Sequence, residues 1–202
     1  MKIRKLVIGS LGTNCYVIGD KNVAVVDPGA NALGIINYLE KENLTIEKIL
    51  VTHGHFDHVM ALCDLKEKTN AKVYMHQDDM SMLGDGEKSL GFLTGDIPKS
   101  CEVDVVLHGG EEIQIENEVI RVMHTPGHSQ GSVSYIGDGF VISGDLIFRG
   151  SIGRYDYGDY NTEINSIHAL LDEISPDTII LPGHGEETEA RWEKENNPYI
   201  RW

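Results

Sequence analysis

The chain has 202 residues and a mass of 22.4 kDa, which suits one domain, and 41% of its residues are hydrophobic. Its 17 basic residues face 32 acidic ones, so the formal net charge is -15 and the surface would repel nucleic acid. No apolar run approaches the roughly 18 residues of a membrane span, and no export signal is visible. We expect one soluble cytoplasmic domain over residues 1–202, as a monomer or homodimer, without nucleic-acid or membrane partners.

Three cysteines, Cys15, Cys63 and Cys101, are widely spaced along the chain and form no CxxC pair. An odd number at these spacings indicates neither a disulfide framework nor a thiolate zinc site. We therefore interpret all three as ordinary small apolar residues in a reducing compartment.

The first half of the chain alternates short apolar runs with amphipathic segments. We expect strands at 2–8, 14–19, 22–27, 48–51 and 72–75, and helices at 33–43 and 59–69. Glycines and Pro98 interrupt every periodic pattern between residues 77 and 101, which predicts a loop or a small lid there.

The second half repeats this order, with strands first and helices afterwards. We expect strands at 103–107, 112–115, 119–124, 131–137, 140–143 and 178–181, a helix at 162–174 and a short last helix from Glu186. No linker rich in proline, serine or charge divides the two halves.

Residues 52–58, with the sequence Thr-His-Gly-His-Phe-Asp-His, directly follow the buried strand at 48–51. Imidazole and carboxylate groups are ligands for zinc, iron and manganese, and alternate residues of an extended segment point the same way. His53 and His55 are thus predicted to bind one ion. Asp57 and His58 point elsewhere, which favours a second ion close by.

Three later segments also place a histidine or an aspartate after an apolar strand, in a turn that contains glycine. They contribute His128 (after Thr-Pro-Gly), Asp145 (after Ser-Gly) and His184 (after Pro-Gly). Seven donors result. If Asp145 bridges the two ions, their separation falls to the roughly 3.5–4 Å of two-metal hydrolytic sites.

The HxHxDH motif, followed in order by His128, Asp145 and His184, resembles the metallo-β-lactamase superfamily over nearly the whole chain. The resemblance implies an α/β fold, a four-layer αβ/βα sandwich with the metal site at one edge. It also implies a dinuclear centre of two divalent ions, with zinc first and iron or manganese as alternatives. In this assignment one ion takes His53, His55 and His128, the other takes Asp57, His58 and His184, and Asp145 bridges them.

The finer motifs, such as Asn14-Cys15-Tyr16, Asp27-Pro28-Gly29 and 182–185 (Pro-Gly-His-Gly), are most similar to the glyoxalase II group. These enzymes hydrolyse thioesters of 2-hydroxy acids, such as S-lactoylglutathione. The resemblance therefore implies a small-molecule thioester substrate. Attack would come from a metal-bridging hydroxide, with Asp57 and Asp145 as the catalytic carboxylates.

Several positions depart from related branches. Asp145 stands where antibiotic-hydrolysing relatives usually have a cysteine, and His55 stands where oxygen-reducing diiron relatives have a carboxylate. We expect the C-terminal helical domain that helps full-length glyoxalase II to hold glutathione to be mostly absent, because this sequence ends eighteen positions past His184. Arg154 is the expected substrate-binding cation, whereas Asp156 and Glu186 occupy positions where the family often has tyrosines.

Asp27 is expected behind the ligands, where its carboxylate would orient a ligand imidazole. His76, His108, His124 and His168 are interpreted as solvated or core histidines, with His124 as the one that could line the cleft.

Three other functions share the motif. A persulfide dioxygenase would load one iron on His53, His128 and Asp145. A phosphodiester or RNA hydrolase conflicts with the net charge of -15. A non-catalytic metal-binding protein would be free to lose some of the seven ligands.

Overall fold

The computed structural model describes residues 1–200 and contains two six-stranded sheets. The end of the predicted domain, residues 201 and 202, lies outside the described residues. The first sheet has the strand order β1 (Ile3–Ile8), β2 (Thr13–Ile18), β3 (Asn22–Val26), β4 (Thr45–Leu50), β5 (Lys72–His76), β6 (Val105–Leu107). In it β2 is antiparallel to both of its neighbours, β1 and β3, whereas β3 to β6 are parallel.

The second sheet is built from the second half of the chain. Its strands are β7 (Glu112–Ile115), β8 (Glu118–His124), β9 (Val133–Gly137) and β10 (Phe140–Gly144), and then, after the hairpin of β11 (Ile147–Phe148) and β12 (Ser151–Ile152), β13 (Ile179–Pro182) and β14 (Thr188–Glu189). Because β9 is antiparallel to both neighbours and β10 is parallel to β13, the strands β8, β10 and β13 end at the same edge.

Within residues 1–200, five α-helices and two 3-10 helices complete the fold. They are α1 (Ala32–Lys41), α2 (Phe56–Val59), α3 (Leu62–Thr69), α4 (Tyr160–Glu173) and α5 (Ala190–Asn196), with 3-10 helices at Gln77–Met82 and Gly91–Leu93. Helices α1 and α3 pack on the first sheet, and α4 and α5 pack on the second. The predicted four-layer αβ/βα sandwich is confirmed. Among residues 1–200, no helix combines the length and the apolar character needed to cross a membrane.

Strand β2 shows how one sheet serves two cores. Cys15 and Val17 pack in the cluster under α1 and α3, whereas Tyr16 and Ile18 pack in the cluster between the sheets. Successive side chains of a strand point to opposite faces, so a strand that is buried on both faces is apolar throughout. The cluster between the sheets fixes their relative position, and with it the edge where their strands end.

The predicted elements differ from the structure in short segments. The helix expected at 59–69 is two helices, α2 and α3, and the last helix begins at Ala190 because Thr188–Glu189 first pairs with β13. The two-residue strands β11, β12 and β14 were not predicted, since two residues are too few to show an alternating pattern. Residues 77–101 carry two short 3-10 helices between turns, and their action as a lid stays a prediction.

The expectation that every cysteine is unpaired is wrong for two of them. Cys63 on α3 and Cys101 form a disulfide with their Cα atoms 5.6 Å apart, while Cys15 is free and buried. The two partners are 38 residues apart and meet only because residues 77–101 fold back over α3. The spacing of the cysteines along the sequence does not indicate this pairing.

Removal of this disulfide should destabilise the oxidised protein by about 2–4 kcal/mol, because the cross-link restricts the unfolded chain. We expect denaturant unfolding of the oxidised wild type to show this difference relative to the Cys63→Ala/Cys101→Ala double variant. Dithiothreitol should lower the stability of the wild type and leave that of the variant unchanged. An oxidised wild type with three titratable thiols would contradict the pairing.

Candidate metal centre

The seven predicted ligands come together at the edge where strands of both sheets end. His53, His55, Asp57 and His58 follow β4, and the later three lie after β8, β10 and β13. Carboxyl ends of strands are where open α/β sheets place their ligand-binding crevices.

The first group of donors contains three buried histidines. Nδ1 of His55 lies 2.8 Å from Nε2 of His128, and that Nε2 lies 3.2 Å from Nε2 of His53. The planes of the three rings are nearly perpendicular to one another, with interplanar angles of 79° to 89°. Three imidazole nitrogens so arranged match one face of a tetrahedral zinc site.

The second group contains Asp57, His58 and His184. Oδ2 of Asp57 lies 3.1 Å from Nε2 of His184 and 3.5 Å from Nε2 of His58. Thr13 also donates a hydrogen bond of 2.9 Å to this Oδ2, which fixes the carboxylate from the side of β2. These residues form a second cluster with the donor types of a divalent-metal site.

Asp145 lies between the two groups. Its Oδ1 is 3.3 Å from Nε2 of His58, and its Oδ2 is 3.6 Å both from Nε2 of His128 and from Nε2 of His184. One carboxylate thus reaches donors of both groups, as a bridging ligand must.

Hydrogen bonds behind the histidines decide which nitrogen faces the centre. Nδ1 of His58 donates to Asp27 Oδ2 at 2.9 Å, and Thr52 Oγ1, which donates to the same oxygen, accepts from Nδ1 of His53 at 3.0 Å. Nδ1 of His128 donates to the carbonyl of Arg154 at 2.8 Å. In each ring Nε2 is therefore the nitrogen that faces the centre and would bind a metal, which is the usual arrangement around ligating histidines.

Two buried atoms at the middle of the cluster support the same interpretation. Nε2 of His58 and Oδ1 of Asp145 have no hydrogen-bond partner within the described part of the chain. Such atoms are costly to bury, and a metal ion between them would satisfy both. A Cβ at Gly183 would lie 2.1 Å from Asp145 Oδ1, so only glycine leaves that carboxylate its place. The donors therefore fit two divalent ions.

His53 and His55 of the first group are neutral at physiological pH. Burial, with further effects of His58 and His55, holds the pKa of His53 well below its usual value. Burial and the neighbouring His128 lower the pKa of His55 to about 3. Neutral imidazoles are the form that binds metal.

The second group is charged. Burial opposes ionisation of Asp145, but the ring of His58 outweighs it and lowers the carboxyl pKa to about 2. Burial likewise opposes charge on His58, yet Asp145 and Asp57 raise its pKa well above the usual range. A metal ion bound here would take the place of protons that balance the two carboxylates.

Sequence reasoning missed two buried carboxyl groups near the centre. Asp79 accepts hydrogen bonds from the backbone of Gly54 at 2.8 Å, from Gly131 at 2.7 Å and from the hydroxyl of Ser129 at 2.6 Å. It ties the loop of the first motif to the loop of His128. Glu163 on α4 is fully buried, and burial together with Asp145 raises its pKa to about 8. Neither residue stands in a pattern typical of metal sites.

A cleft of about 220 Å³ opens onto the centre. Its floor carries ligand side chains, and its walls are mostly apolar, formed by Leu11, Phe56, Leu90, Leu93, Phe148 and Tyr157. Leu90 and Leu93 come from the segment 77–101.

Arg154 also lines this cleft, but Asp156 binds its guanidinium group. Nε lies 3.0 Å from Oδ1 and Nη2 lies 2.5 Å from Oδ2, and the group also stacks over Tyr157 at 5.2 Å. This pairing raises the pKa of the arginine and lowers that of the aspartate. His124 is not among the residues that form the cleft wall.

The sequence profile of the metallo-β-lactamase superfamily matches residues 8–184, a range that spans the whole centre. The chain belongs to this superfamily. Two similar relatives cover almost its full length. The probable metallo-hydrolase YqgX of Bacillus subtilis is 38% identical, with 99% of this chain and 98% of the relative covered. The hydroxyacylglutathione hydrolase GloC of Haemophilus influenzae is 32% identical at the same coverage.

Two solved structures also resemble the chain over almost its whole length. The B3 metallo-β-lactamase BLEG-1 is 34% identical, with a TM-score of 0.94 and full coverage of both chains. TTHA1623, solved in a di-iron-bound form, is 32% identical with a TM-score of 0.88, over 98% of this chain and 100% of its own. Relatives of this fold therefore include one that holds two irons.

Asp27→Asn should weaken metal binding about 10–100-fold, because asparagine has an NH2 donor in place of one carboxylate oxygen and so cannot accept at the positions of both Oδ1 and Oδ2. Asparagine tolerates the positive φ of 52° found at this residue, so the backbone should persist. Zinc affinity measured against a chelator checks the prediction. The exposed Asp20→Asn variant is the control, and equal affinities in both variants would exclude an orienting role for Asp27.

Proposed function

We propose that the chain is a metal-dependent hydrolase that cleaves thioesters of the hydroxyacylglutathione type with a dinuclear centre. The observation that carries this proposal is the position of Asp145, within 3.3 to 3.6 Å of donor atoms in both ligand groups. Two adjoining sites that share a carboxylate are typical of hydrolases that activate a bridging water.

Each residue has a defined part in the proposal. His53, His55 and His128 hold one ion, Asp57, His58 and His184 hold the other, and Asp145 bridges them. The two ions, zinc in the first place with iron or manganese as alternatives, would lower the pKa of a bound water toward 7 and polarise the substrate carbonyl. The carboxylates of Asp57 and Asp145 would hold the positively charged ions in place. Asp27 fixes the ring of His58 from behind.

The walls of the cleft suit such a substrate. Among the described residues that line it, none is a serine or a cysteine, so an acyl-enzyme route has no nucleophile there. Thiolates leave readily, since their conjugate acids have a pKa near 8–9, so no strong general acid is required. The apolar walls exclude water from the acyl group, and Arg154 is the cation that can face a carboxylate of the thiol carrier.

The likeness to GloC supports a hydroxyacylglutathione thioester, and the likeness to YqgX supports a metal-dependent hydrolase more generally. The likeness to BLEG-1 makes a β-lactam an informative second substrate, although Asp145 remains our argument against antibiotic hydrolysis. A cytoplasmic location and a small-molecule thioester partner are parts of the same proposal.

Protein loaded with zinc or manganese should hydrolyse S-lactoylglutathione, and Asp145→Asn should lose at least about 100-fold in kcat/KM because the shared ligand is weakened. Thiol release followed with a colorimetric reagent measures both. Asp138→Asn, in the exposed turn between β9 and β10, is the matched control and should keep wild-type activity. Absence of turnover with every thiol carrier tried would overturn the proposal.

The same preparations separate the alternative functions. Oxygen uptake with glutathione persulfide, together with one iron per chain, would favour the dioxygenase. Cleavage of a phosphodiester or a β-lactam without thioester turnover would point to another hydrolase. Two ions per chain on protein purified without added metal would support the dinuclear centre.

The Arg154–Asp156 pair should set the affinity for anionic thiol carriers. Arg154→Gln should raise KM for S-lactoylglutathione a few-fold with little change in kcat, and Asp156→Asn should lower it, because Asp156 now neutralises the guanidinium group. A thioester of an uncharged thiol is the control substrate and should respond to neither change. Equal responses of both substrates would assign the pair a structural role only.

A further inference from the structure

A second cluster of metal-binding side chains lies outside the candidate centre. His76, the last residue of β5, His124, the last residue of β8, and Asp78 each offer one donor atom, and the three atoms lie within 4.8 Å of one another. The two histidines belong to different sheets, so the cluster spans the interface between them.

The hydrogen bonds of both rings indicate which nitrogen of each ring would bind a metal. Nε2 of His124 lies 2.9 Å from the carbonyl of Gln130, which can only accept, so Nε2 carries the proton and Nδ1 keeps its lone pair. Nδ1 of His76 accepts a weak hydrogen bond of 3.3 Å from the backbone N–H of Asp78, so its lone pair faces that residue, and a metal ion at this nitrogen would replace that hydrogen bond. A backbone carbonyl behind a ring is the usual support of a ligating histidine.

The stacking of the two rings disfavours a positive charge on both of them at once. Their centroids lie 4.1 Å apart at an interplanar angle of 14°, so two imidazolium ions would repel each other strongly. Burial, and next the neighbouring His124, lower the pKa of His76. Since His76 is 2% exposed, it has little room to move and is the fixed member of the cluster.

We propose that His76, Asp78 and His124 bind a further divalent transition-metal ion of the zinc class, with water as the remaining ligand. Two imidazoles and a carboxylate are a common zinc ligand set, and donor atoms around a tetrahedral zinc lie about 3.4 Å apart. The three donor atoms must therefore move closer together by roughly an ångström when the ion binds. Asp78, whose side chain is 42% exposed, and the half-buried ring of His124 are free to supply it, with a turn of that ring out of the stack.

An ion bound at His76, Asp78 and His124 would have two effects. It would join the end of β5 to the end of β8 and so cross-link the two sheets at one edge. Asp78 also lines a cavity of about 540 Å³ to which His55 and His128 contribute. The ion would add positive charge at the rim of a cavity that reaches the candidate metal centre, in a chain with a net charge of -15.

Zinc bound per chain, after equilibrium dialysis of the holoenzyme against zinc buffered at low micromolar free concentration, tests this site. We expect His124→Ala and Asp78→Asn each to bind one equivalent less than the wild type. His108→Ala is the matched control and should bind as much as the wild type, because the His108 ring is exposed and its centroid lies 6.4 Å from that of His76. The difference between proteins is compared, so occupancy of the candidate centre does not affect the result.

A second measurement uses the cross-link itself. With the candidate centre saturated, additional zinc should raise the Tm of the wild type and of His108→Ala, but not that of Asp78→Asn. Asparagine has the same shape as aspartate and keeps the backbone N–H that donates a hydrogen bond to His76. The Asp78→Asn variant therefore tests the site even if His124→Ala folds poorly. Equal zinc content in all four proteins, or an equal loss in the His108 control, would overturn the assignment.

Discussion

The carboxylate of Asp27 holds both halves of the metal centre. Its Oδ1 accepts from the backbone of Thr52 at 2.8 Å, and its Oδ2 accepts from Thr52 Oγ1 at 2.6 Å and from His58 at 2.9 Å. Through Thr52 it also reaches His53, a ligand of the other group. The backbone of Asp27 adopts a φ of 52°, a strained value for a residue other than glycine, and these hydrogen bonds to a buried charge offset the strain. One side chain at the end of β3 thus orients an imidazole in each ligand group.

The charges of the centre make metal loading a proton exchange. Asp57 and Asp145 are both ionised, and the raised pKa values of His58 and His184 show that protons on these rings balance them when no ion is bound. Bound metal displaces such protons, so affinity falls as the solution becomes more acidic. His53 and His55 of the first group, which are already neutral, do not share this competition. The two halves of the centre therefore differ in how strongly acid opposes their occupation.

Much of the fold and of the ligand cluster could be predicted, because the information is local. His128, Asp145 and His184 each follow an apolar run that ends in a glycine turn, and such runs are recognisable one at a time. Asp79 could not be found in this way, since two of its partners, Ser129 and Gly131, lie 50 and 52 residues away.

The Cys63–Cys101 pair and the neutralisation of Arg154 by Asp156 depend similarly on how loops fold. Spacing alone leaves the three cysteines unassigned, and it cannot show whether a cation beside a cleft already has a partner. The resemblance to a family supplied the ligand order, whereas the residues that tune the site belong to this chain.

The segment 77–101 is fixed at both ends, by the buried carboxylate of Asp79 and by the disulfide to α3. Its tip, with Leu90 and Leu93, forms part of the cleft wall, and the carbonyl of Ser89 beside them accepts a hydrogen bond of 2.9 Å from the backbone of Phe56 in the first ligand motif. Substitutions of the leucine side chains can therefore reshape the wall while this backbone hydrogen bond keeps the ligand motif in place. Selection for a new substrate can act on this stretch at little cost to the chemistry, so related chains with the same seven ligands are free to diverge in what they hydrolyse.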